Sequence, residues 1–180
     1  MLAFLHFLVV RWNQRIANVL KPSYLVIFSY FCEMTDNRTK IQRSYNMSRI
    51  HSTNTKPEIL VRKYLFKNGF RYRLHLKDLQ GKPDIVIRKL ETVIFINGCF
   101  WHRHKNCKNA KTPVANKNFW IDKITANAER DKKNVRQLKN EGWTVLIIWE
   151  CHLHPHKAER SLAKLLTKLR AKKLKLLDIE

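Results

Sequence analysis

A segment near the middle of the chain, I-N-G-C-F-W-H-R-H-K-N-C from Ile96 to Cys107, combines thiol, imidazole and large aromatic side chains. Thiolates and imidazoles are the ligands of structural zinc sites, which are usually closed by four of them. The candidate ligands are Cys99, His104, Cys107 and the more distant Cys151. This set leaves His102 free for proton transfer beside the metal. Spacing alone keeps two other interpretations open: His102 as ligand with His104 free, or free buried cysteines with surface histidines.

Two carboxylates precede this segment. Asp84 follows Lys82-Pro83 at the start of an apolar run, and Glu58 lies in a predicted helix. A carboxylate in such a position can bind a hard cation such as Mg²⁺, which would polarise a phosphodiester and activate a water molecule. Each residue also has a simpler interpretation, because Asp84 suits an ordinary turn and Glu58 suits a helix cap.

Phe100 and Trp101 are adjacent large aromatics on the same loop as the candidate zinc ligands. If the loop faces DNA, such rings can wedge between base pairs and unstack them. The simpler alternative is that Trp101 packs on the edge of the sheet.

The charge of the chain indicates its partner. Its 180 residues include Lys+Arg 36 against Asp+Glu 14, a formal net charge of +22. Such an excess favours a polyanion, and nucleic acid is preferred over a membrane surface because the basic residues are spread through a mixed pattern. The hydrophobic fraction of 44% excludes a chain that is disordered throughout.

The elements that must position these side chains alternate between helices and strands. T-K-P-E-I-L-V-R-K-Y-L-F-K-N-G predicts a helix that is capped by Thr55 and Glu58 and ended by Gly69. Strands are predicted at F-R-Y-R-L-H-L, D-I-V-I-R, T-V-I-F-I-N-G and W-T-V-L-I-I-W-E, with a long helix before the last one. The order α-β-β-β-α-β-α predicts an α/β fold with a mixed central sheet flanked by helices.

Four regions are expected. Residues 1–33 form a doubtful leader, upstream of a natural start at Met34, with a membrane-binding leader as the alternative. Residues 34–54 form a basic arm that is either disordered or ordered on DNA. Residues 55–153 form the main domain, and residues 154–180 form a basic amphipathic helix. The metal-like cysteine pattern and the absence of a convincing secretory signal favour a reduced, cytoplasmic setting.

Longer stretches resemble a known family. P-D-I-V-I, V-I-F-I-N-G-C-F-W-H-R-H-K-N-C, F-W-I-D-K-I-T-A-N-A-E-R-D and G-W-T-V-L-I-I-W-E-C resemble the very short patch repair (Vsr) DNA mismatch endonucleases, as do N-M-S-R-I and T-K-P-E. The resemblance runs from about Arg43 to Cys151. It implies a fold like that of type II restriction enzymes, in the PD-(D/E)xK nuclease superfamily, with a structural zinc. It also implies Mg²⁺-dependent nicking of duplex DNA on the 5′ side of the thymine in a T·G mismatch, which makes residues 55–153 the endonuclease domain.

The resemblance further implies a role for each candidate residue. Asp84 would be the principal Mg²⁺ ligand, together with the backbone carbonyl of Ile96. His102 would act as general acid or base, and Glu58 would assist. Zinc would be held by Cys99, His104, Cys107 and Cys151. The residues that intercalate beside the mismatch would be Met47, Phe100 and Trp101.

Partners follow from the same resemblance. T·G mismatches arise when 5-methylcytosine deaminates, so a functional link to a cytosine-5 DNA methyltransferase is expected, with mismatch-repair proteins as further partners. A monomer in the cytoplasm, associated with the nucleoid, is expected. This chain departs from some family members in having Asn97 in place of a histidine. The main alternative is a non-catalytic, zinc-stabilised DNA-binding module, which would need neither Asp84 nor His102.

Overall fold

A computed structural model describes residues 39–49 and 53–177. The leader predicted at residues 1–33 and the start proposed at Met34 lie outside the described residues. Described residues from Asn46 onward belong to one compact unit of the chain. Among the helices of the described ranges, none is long and apolar enough to cross a membrane.

Helix α1, Lys40–Ser48, occupies part of the region for which the sequence predicted only an arm. The capping box T-K-I-Q is a local signal for the start of this helix. The backbone N–H of Gln42 donates to Thr39 Oγ1 at 3.2 Å, and the N–H of Thr39 donates to Gln42 Oε1 at 2.9 Å. Two orphan N–H groups are thereby satisfied, which stabilises a helix whose polar composition had suggested disorder.

Helix α2, Lys56–Lys67, begins at the capping box that the sequence predicted, so that prediction is confirmed. Thr55 Oγ1 accepts from the N–H of Glu58, and the Glu58 carboxylate accepts from the N–H of Thr55. Gly69, with φ 82°, turns the chain after the helix as expected.

Four strands form one mixed sheet in the order β1-β2-β3-β4, which confirms the predicted sheet. They are β1 (Arg73–Leu74), β2 (Ile85–Ile87), β3 (Thr92–Asn97) and β4 (Thr144–Trp149). The pairs β1–β2 and β2–β3 are antiparallel, whereas β3 and β4 are parallel. The first strand is shorter than predicted, because His75 has φ 45° and so leaves the β region immediately after Leu74.

Two further helices cover the sheet. Helix α3, Lys117–Asn140, lies between the parallel strands in sequence, and helix α4, Pro155–Leu177, follows β4. Ile85, Ile87 and Ile94 pack with leucines of α2 and α4, while Val86 and Val93 pack with a leucine of α3. Because successive strand residues point to opposite faces, both faces of the central strands are buried, which accounts for their continuous apolar runs.

Candidate active site

One cleft of about 690 Å³ collects most of the residues that the sequence singled out for chemistry. It is lined, among others, by Met47, Glu58, Asp84, Ile96, Trp101 and His102. These side chains come from α1, from the first turn of α2, from the residue before β2, from β3, and from the loop after β3. Phe100 is not among the residues that line the cleft.

The turn that leads to Asp84 is fixed by contact with α3. Gly81 has φ 75°, and a Cβ placed there would lie 2.9 Å from Asn134 Nδ2. Gln80 Nε2 also donates to Asn134 Oδ1 at 3.1 Å. Only glycine fits both this backbone conformation and this approach, so the turn G-K-P-D is tied to α3 and delivers Asp84 to the cleft.

Asp84 is the carboxylate at the centre of the cleft, and its side chain is 19% exposed. Burial raises its pKa, and the nearby Glu58 charge raises it further. The N–H of Ile96, which donates to Asp84 Oδ2 at 2.7 Å, opposes this rise, as do His75 and Arg62. A carboxylate whose charge is disfavoured by burial and by a second carboxylate is a group that a bound cation would stabilise.

Glu58 is more completely engaged than its predicted role suggests. Its side chain is 4% exposed, and Oε1 accepts from Thr55 Oγ1 at 2.8 Å. Oε2 accepts from Arg62 Nη2 at 2.7 Å and from the N–H of Asn54 at 3.0 Å. The helix cap and the buried ion pair therefore use both oxygens, and Glu58 reaches the cleft chiefly through its charge beside Asp84.

His75 joins these two carboxylates and was not singled out from the sequence. Its Nε2 lies 2.9 Å from Arg62 Nη2 and 3.8 Å from Glu58 Oε2, and its Nδ1 lies 4.0 Å from Asp84 Oδ1. In the sequence His75 is one polar position in an alternating run, which indicates only a half-buried strand. Its proximity to the carboxylates depends on the fold, so periodicity could not reveal it.

His102 has an acidic partner that the sequence also did not reveal. Its Nδ1 lies 2.5 Å from Asp131 Oδ2, and Arg130 Nη2 lies 3.5 Å from the other oxygen of Asp131. Asp131 belongs to α3, where the sequence gave it no distinction from other polar surface residues. A carboxylate on Nδ1 orients the imidazole and leaves Nε2 as the nitrogen that can exchange a proton with a substrate.

The structure groups Cys99, His104, Cys107 and Cys151, with their ligand atoms all within 4.8 Å of one another. His104 Nδ1 lies 3.6 Å from Cys99 Sγ and 3.4 Å from Cys151 Sγ. A tetrahedral site with ordinary zinc bond lengths separates sulfur from nitrogen by about 3.6 Å. The donor set therefore fits a tetrahedral metal ion, and His104 rather than His102 lies with the cysteines.

The protonation of the thiols also suits a cation. Burial raises the pKa of Cys99 to about 12 and raises that of Cys151 as well. The pKa of Cys107 is lowered, chiefly by the backbone N–H of Asn109. Burial lowers the pKa of His104 and so favours the neutral imidazole that metal binding requires. A divalent cation bound between these side chains would stabilise the thiolate forms of Cys99 and Cys151, whose raised pKa values otherwise favour the thiols.

Phe100 and Trp101 belong to an aromatic cluster with Trp120 at the start of α3. The ring centroids are 5.0 Å apart for Phe100 and Trp101, 5.3 Å for Phe100 and Trp120, and 6.0 Å for Trp101 and Trp120. Asn127 Nδ2 donates to the carbonyl of Trp101 at 3.2 Å. The loop thus packs on α3, and Trp101 is not simply laid on the sheet edge.

Comparisons with known proteins identify the family of the chain. The family model described as DNA mismatch endonuclease Vsr matches residues 35–109. The type II nicking enzyme V.NmeAIP of Neisseria meningitidis serogroup A is 52% identical over 120 residues, covering 67% of this chain and 85% of that protein. The type II nicking enzyme V.XorIIP of Xanthomonas oryzae pv. oryzae is 43% identical over 120 residues, covering 67% and 88%.

DNA mismatch endonuclease Vsr of Escherichia coli K12 is 40% identical over 120 residues, which cover 67% of this chain and 76% of that protein. Identity at this level over most of a relative's length extends well beyond the cysteine and histidine pattern. The family resemblance inferred from the sequence is therefore confirmed. The chain is a DNA endonuclease that belongs to the Vsr family of DNA mismatch endonucleases.

Proposed function

We propose that this endonuclease nicks duplex DNA on the 5′ side of the thymine in a T·G mismatch, in a reaction that depends on Mg²⁺. The observation that carries the proposal is the cleft in which Asp84, Ile96, Trp101 and His102 meet. A carboxylate, an imidazole and a large aromatic ring line the same cleft, as the proposed roles of metal ligand, proton-transfer group and wedge require. A non-catalytic binding module would need the wedge and no such carboxylate–imidazole pair.

Asp84 would hold the Mg²⁺, with the backbone carbonyl of Ile96 as a second ligand. The sheet register supports this pairing: Ile85 lies opposite Ile94, so two further residues of the same register would place Pro83 opposite Ile96. Proline has no N–H, so it cannot donate the ladder hydrogen bond that the Ile96 carbonyl would otherwise accept. When bound, Mg²⁺ polarises the scissile phosphate and lowers the pKa of a water molecule.

His102 would transfer the proton during cleavage. Asp131 holds its Nδ1, so Nε2 can accept a proton from the attacking water or donate one to the leaving oxygen. Glu58 would assist through its charge, because the carboxylate raises the pKa of Asp84 without leaving its own cap and ion pair. Together with the helix-flanked sheet, these positions support a fold like that of the restriction enzymes of the PD-(D/E)xK superfamily.

The metal on Cys99, His104, Cys107 and Cys151 would be a structural Zn²⁺. Three thiols and one imidazole would fill all four positions of a tetrahedral site and leave none for water or substrate, as in structural zinc sites. The ion would tie the loop after β3 to the residues after β4. It would thereby fix the loop that carries His102.

Met47, Phe100 and Trp101 would intercalate beside the mismatch. Met47 is 40% exposed, and the aromatic cluster presents rings whose mutual contacts can be exchanged for contacts with bases. A T·G wobble stacks less well than a matched pair, so opening the duplex there costs less. The preference for mismatched DNA would come from this difference in cost.

The oligomeric state, the cellular location, the partners and the roles of the regions are proposed as follows. The chain would act as a monomer in the cytoplasm, near the nucleoid, with a functional link to a cytosine-5 DNA methyltransferase and to mismatch-repair proteins. Residues 55–153 would be the endonuclease domain, residues 34–54 a DNA-binding arm, and residues 154–180 a basic extension. The charge of +22 supports the polyanionic substrate.

A nicking assay on a panel of duplexes tests the proposal. Otherwise identical duplexes with T·G, A·C, G·G or matched pairs would be incubated with the purified chain, with Mg²⁺ or with a chelator. We expect a single nick 5′ to the thymine, in T·G duplexes and in Mg²⁺ only. Equal cleavage of matched duplexes would overturn the mismatch specificity, and binding without any nick would favour the non-catalytic module.

A further inference from the structure

We propose that His75 is a positioning residue that orients Asp84 for divalent-cation binding, and that Arg62 fixes the ring tautomer that this requires. The inference rests on the metal role proposed above for Asp84. His75 takes no other part in the proposed reaction. Its ring lies between the Arg62–Glu58 ion pair and the Asp84 carboxylate.

The tautomer of His75 follows from its contact with Arg62. The guanidinium carries only donors and remains protonated in proteins, so at 2.9 Å Arg62 Nη2 must donate to His75 Nε2. Nε2 is therefore the acceptor, and the ring proton of neutral His75 resides on Nδ1. Nδ1 is the nitrogen that faces Asp84.

Asp84 accepts one hydrogen bond and faces a second donor. Oδ2 accepts the N–H of Ile96 at 2.7 Å, and Oδ1 faces the N–H of His75 across 4.0 Å. The second distance is too long for a direct hydrogen bond, so His75 would engage Oδ1 only once the carboxylate turns to hold a cation. Ligating carboxylates are commonly held by hydrogen bonds from neighbouring groups, and losing such a group typically weakens metal binding 10- to 100-fold.

The support beneath His75 is rigid. Arg62 Nη1 donates to Asn54 Oδ1 at 2.6 Å, Nη2 donates to Glu58 Oε2 at 2.7 Å, and Tyr72 Oη donates to the Arg62 carbonyl at 3.1 Å. The side chain of Arg62 is only 10% exposed. These hydrogen bonds fix the position of the guanidinium. Arg62 Nη2 therefore donates to His75 Nε2 from a fixed position and orients the His75 ring.

The backbone of His75 is left-handed, with φ 45°, a conformation that several other non-glycine residues of the described chain also adopt, among them Lys82 and Glu91. The side chain of His75 is 29% exposed. The conformation places the ring between the two carboxylates.

Two conservative substitutions test the two ring nitrogens of His75 separately. In His75→Asn the amide nitrogen can replace Nδ1 and donate to Asp84, while the contact with Arg62 is lost. In His75→Gln the amide oxygen can replace Nε2 and accept from Arg62, while the donor toward Asp84 is lost. The exposed His156→Asn on α4 is the matched control.

The experiment titrates Mn²⁺ into the full chain without DNA, with the Cys/His cluster loaded with Zn²⁺, and measures binding by calorimetry. Asp84→Asn provides the baseline without the site. We expect His75→Asn and His156→Asn to bind Mn²⁺ within about twofold of the wild type, and His75→Gln to bind about tenfold more weakly. Thermal unfolding of each metal-free variant is measured in parallel.

Three outcomes would overturn the inference. If both His75 variants bind as the wild type does while Asp84→Asn does not bind, His75 has no positioning role. If both weaken binding in proportion to a fall in unfolding temperature, its role is structural. If Asp84→Asn leaves the titration unchanged, the metal role of Asp84 fails first, and the inference fails with it.

Discussion

The cleft around Asp84 and the cluster of Cys99, His104, Cys107 and Cys151 are two metal-type sites on either side of one loop, and they differ in completeness. The cluster offers four soft donors that converge within 4.8 Å. The cleft offers oxygen donors, and its central carboxylate carries a raised pKa. The cluster needs only an ion to be closed, whereas the cleft needs both a cation and a phosphate. This contrast supports the proposal that the first site serves the fold and the second serves the reaction.

The strongest test of this contrast is Asp84→Asn. We expect nicking of a T·G duplex to fall on the order of 10³-fold, because asparagine lacks the charge that holds the cation. The folded-state pKa of Asp84 lies above its unfolded value, so its contribution to stability is greatest at low pH and is lost as pH rises through the folded pKa. The metal-free variant should therefore unfold at a slightly higher temperature than the wild type at neutral pH.

Asp78→Asn is the matched control, because that exposed carboxylate pairs with Arg88. It should leave both nicking and the unfolding temperature close to wild type. Full nicking activity in Asp84→Asn would contradict the metal role.

Cys151→Ser should lower the stability of the protein, whereas Asp84→Asn should not. We expect the zinc content to fall and the free energy of unfolding to drop by several kcal/mol, because binding energy at a structural zinc site is folding energy. Metal analysis and chemical denaturation would measure the two effects. An unchanged metal stoichiometry would argue against the site.

Asp131→Asn tests the contribution of α3 to the cleft, because Asp131 is the α3 carboxylate that contacts His102. We expect nicking to fall roughly 10- to 100-fold, because the His102 ring loses the carboxylate that orients it. Binding to the mismatched duplex should be spared, as gel-shift titration would show. Asp122→Asn on the same helix is the control, and an equal loss of binding and nicking would instead indicate misfolding.

Trp101→Ala is expected to give the smallest effect. Stacking of a base on an aromatic ring is worth about 1–3 kcal/mol, and part of this is lost on both duplexes. The preference for mismatched over matched duplex should therefore fall by less than the full stacking energy, roughly five- to tenfold. Competition binding with the two duplexes would measure it, and the exposed Phe66→Ala is the control. A similar loss on both duplexes would assign Trp101 to packing alone.

The two regions also differed in how far the sequence could predict them. Three ligands of the cluster lie in one loop, so spacing and ligand chemistry were enough to propose it. The choice between His102 and His104 was not decidable from spacing. It depends on the turn after Gly98, in which the N–H of His104 donates to the carbonyl of Cys99 at 2.9 Å.

The cleft was less predictable because its members are brought together by tertiary packing. His75 lies 13 residues from Arg62 and Asp131 lies 29 residues from His102, and the sequence assigned no role to either. The strands themselves were predicted well, since continuous apolar runs report burial on both faces. Helix α1 was missed because its capping box was not weighed against a polar composition.

The parallel pairing of β3 with β4 has a consequence for the order of folding. Asn97 lies opposite Trp149, and Cys99 and Cys151 follow these two ends of the ladder. The strands are far apart in sequence, and long-range parallel pairs form slowly because loop-closure entropy must be overcome first. The four ligands therefore converge only after the slow step, so the rate at which refolding chains take up metal should report the closing of β3 on β4.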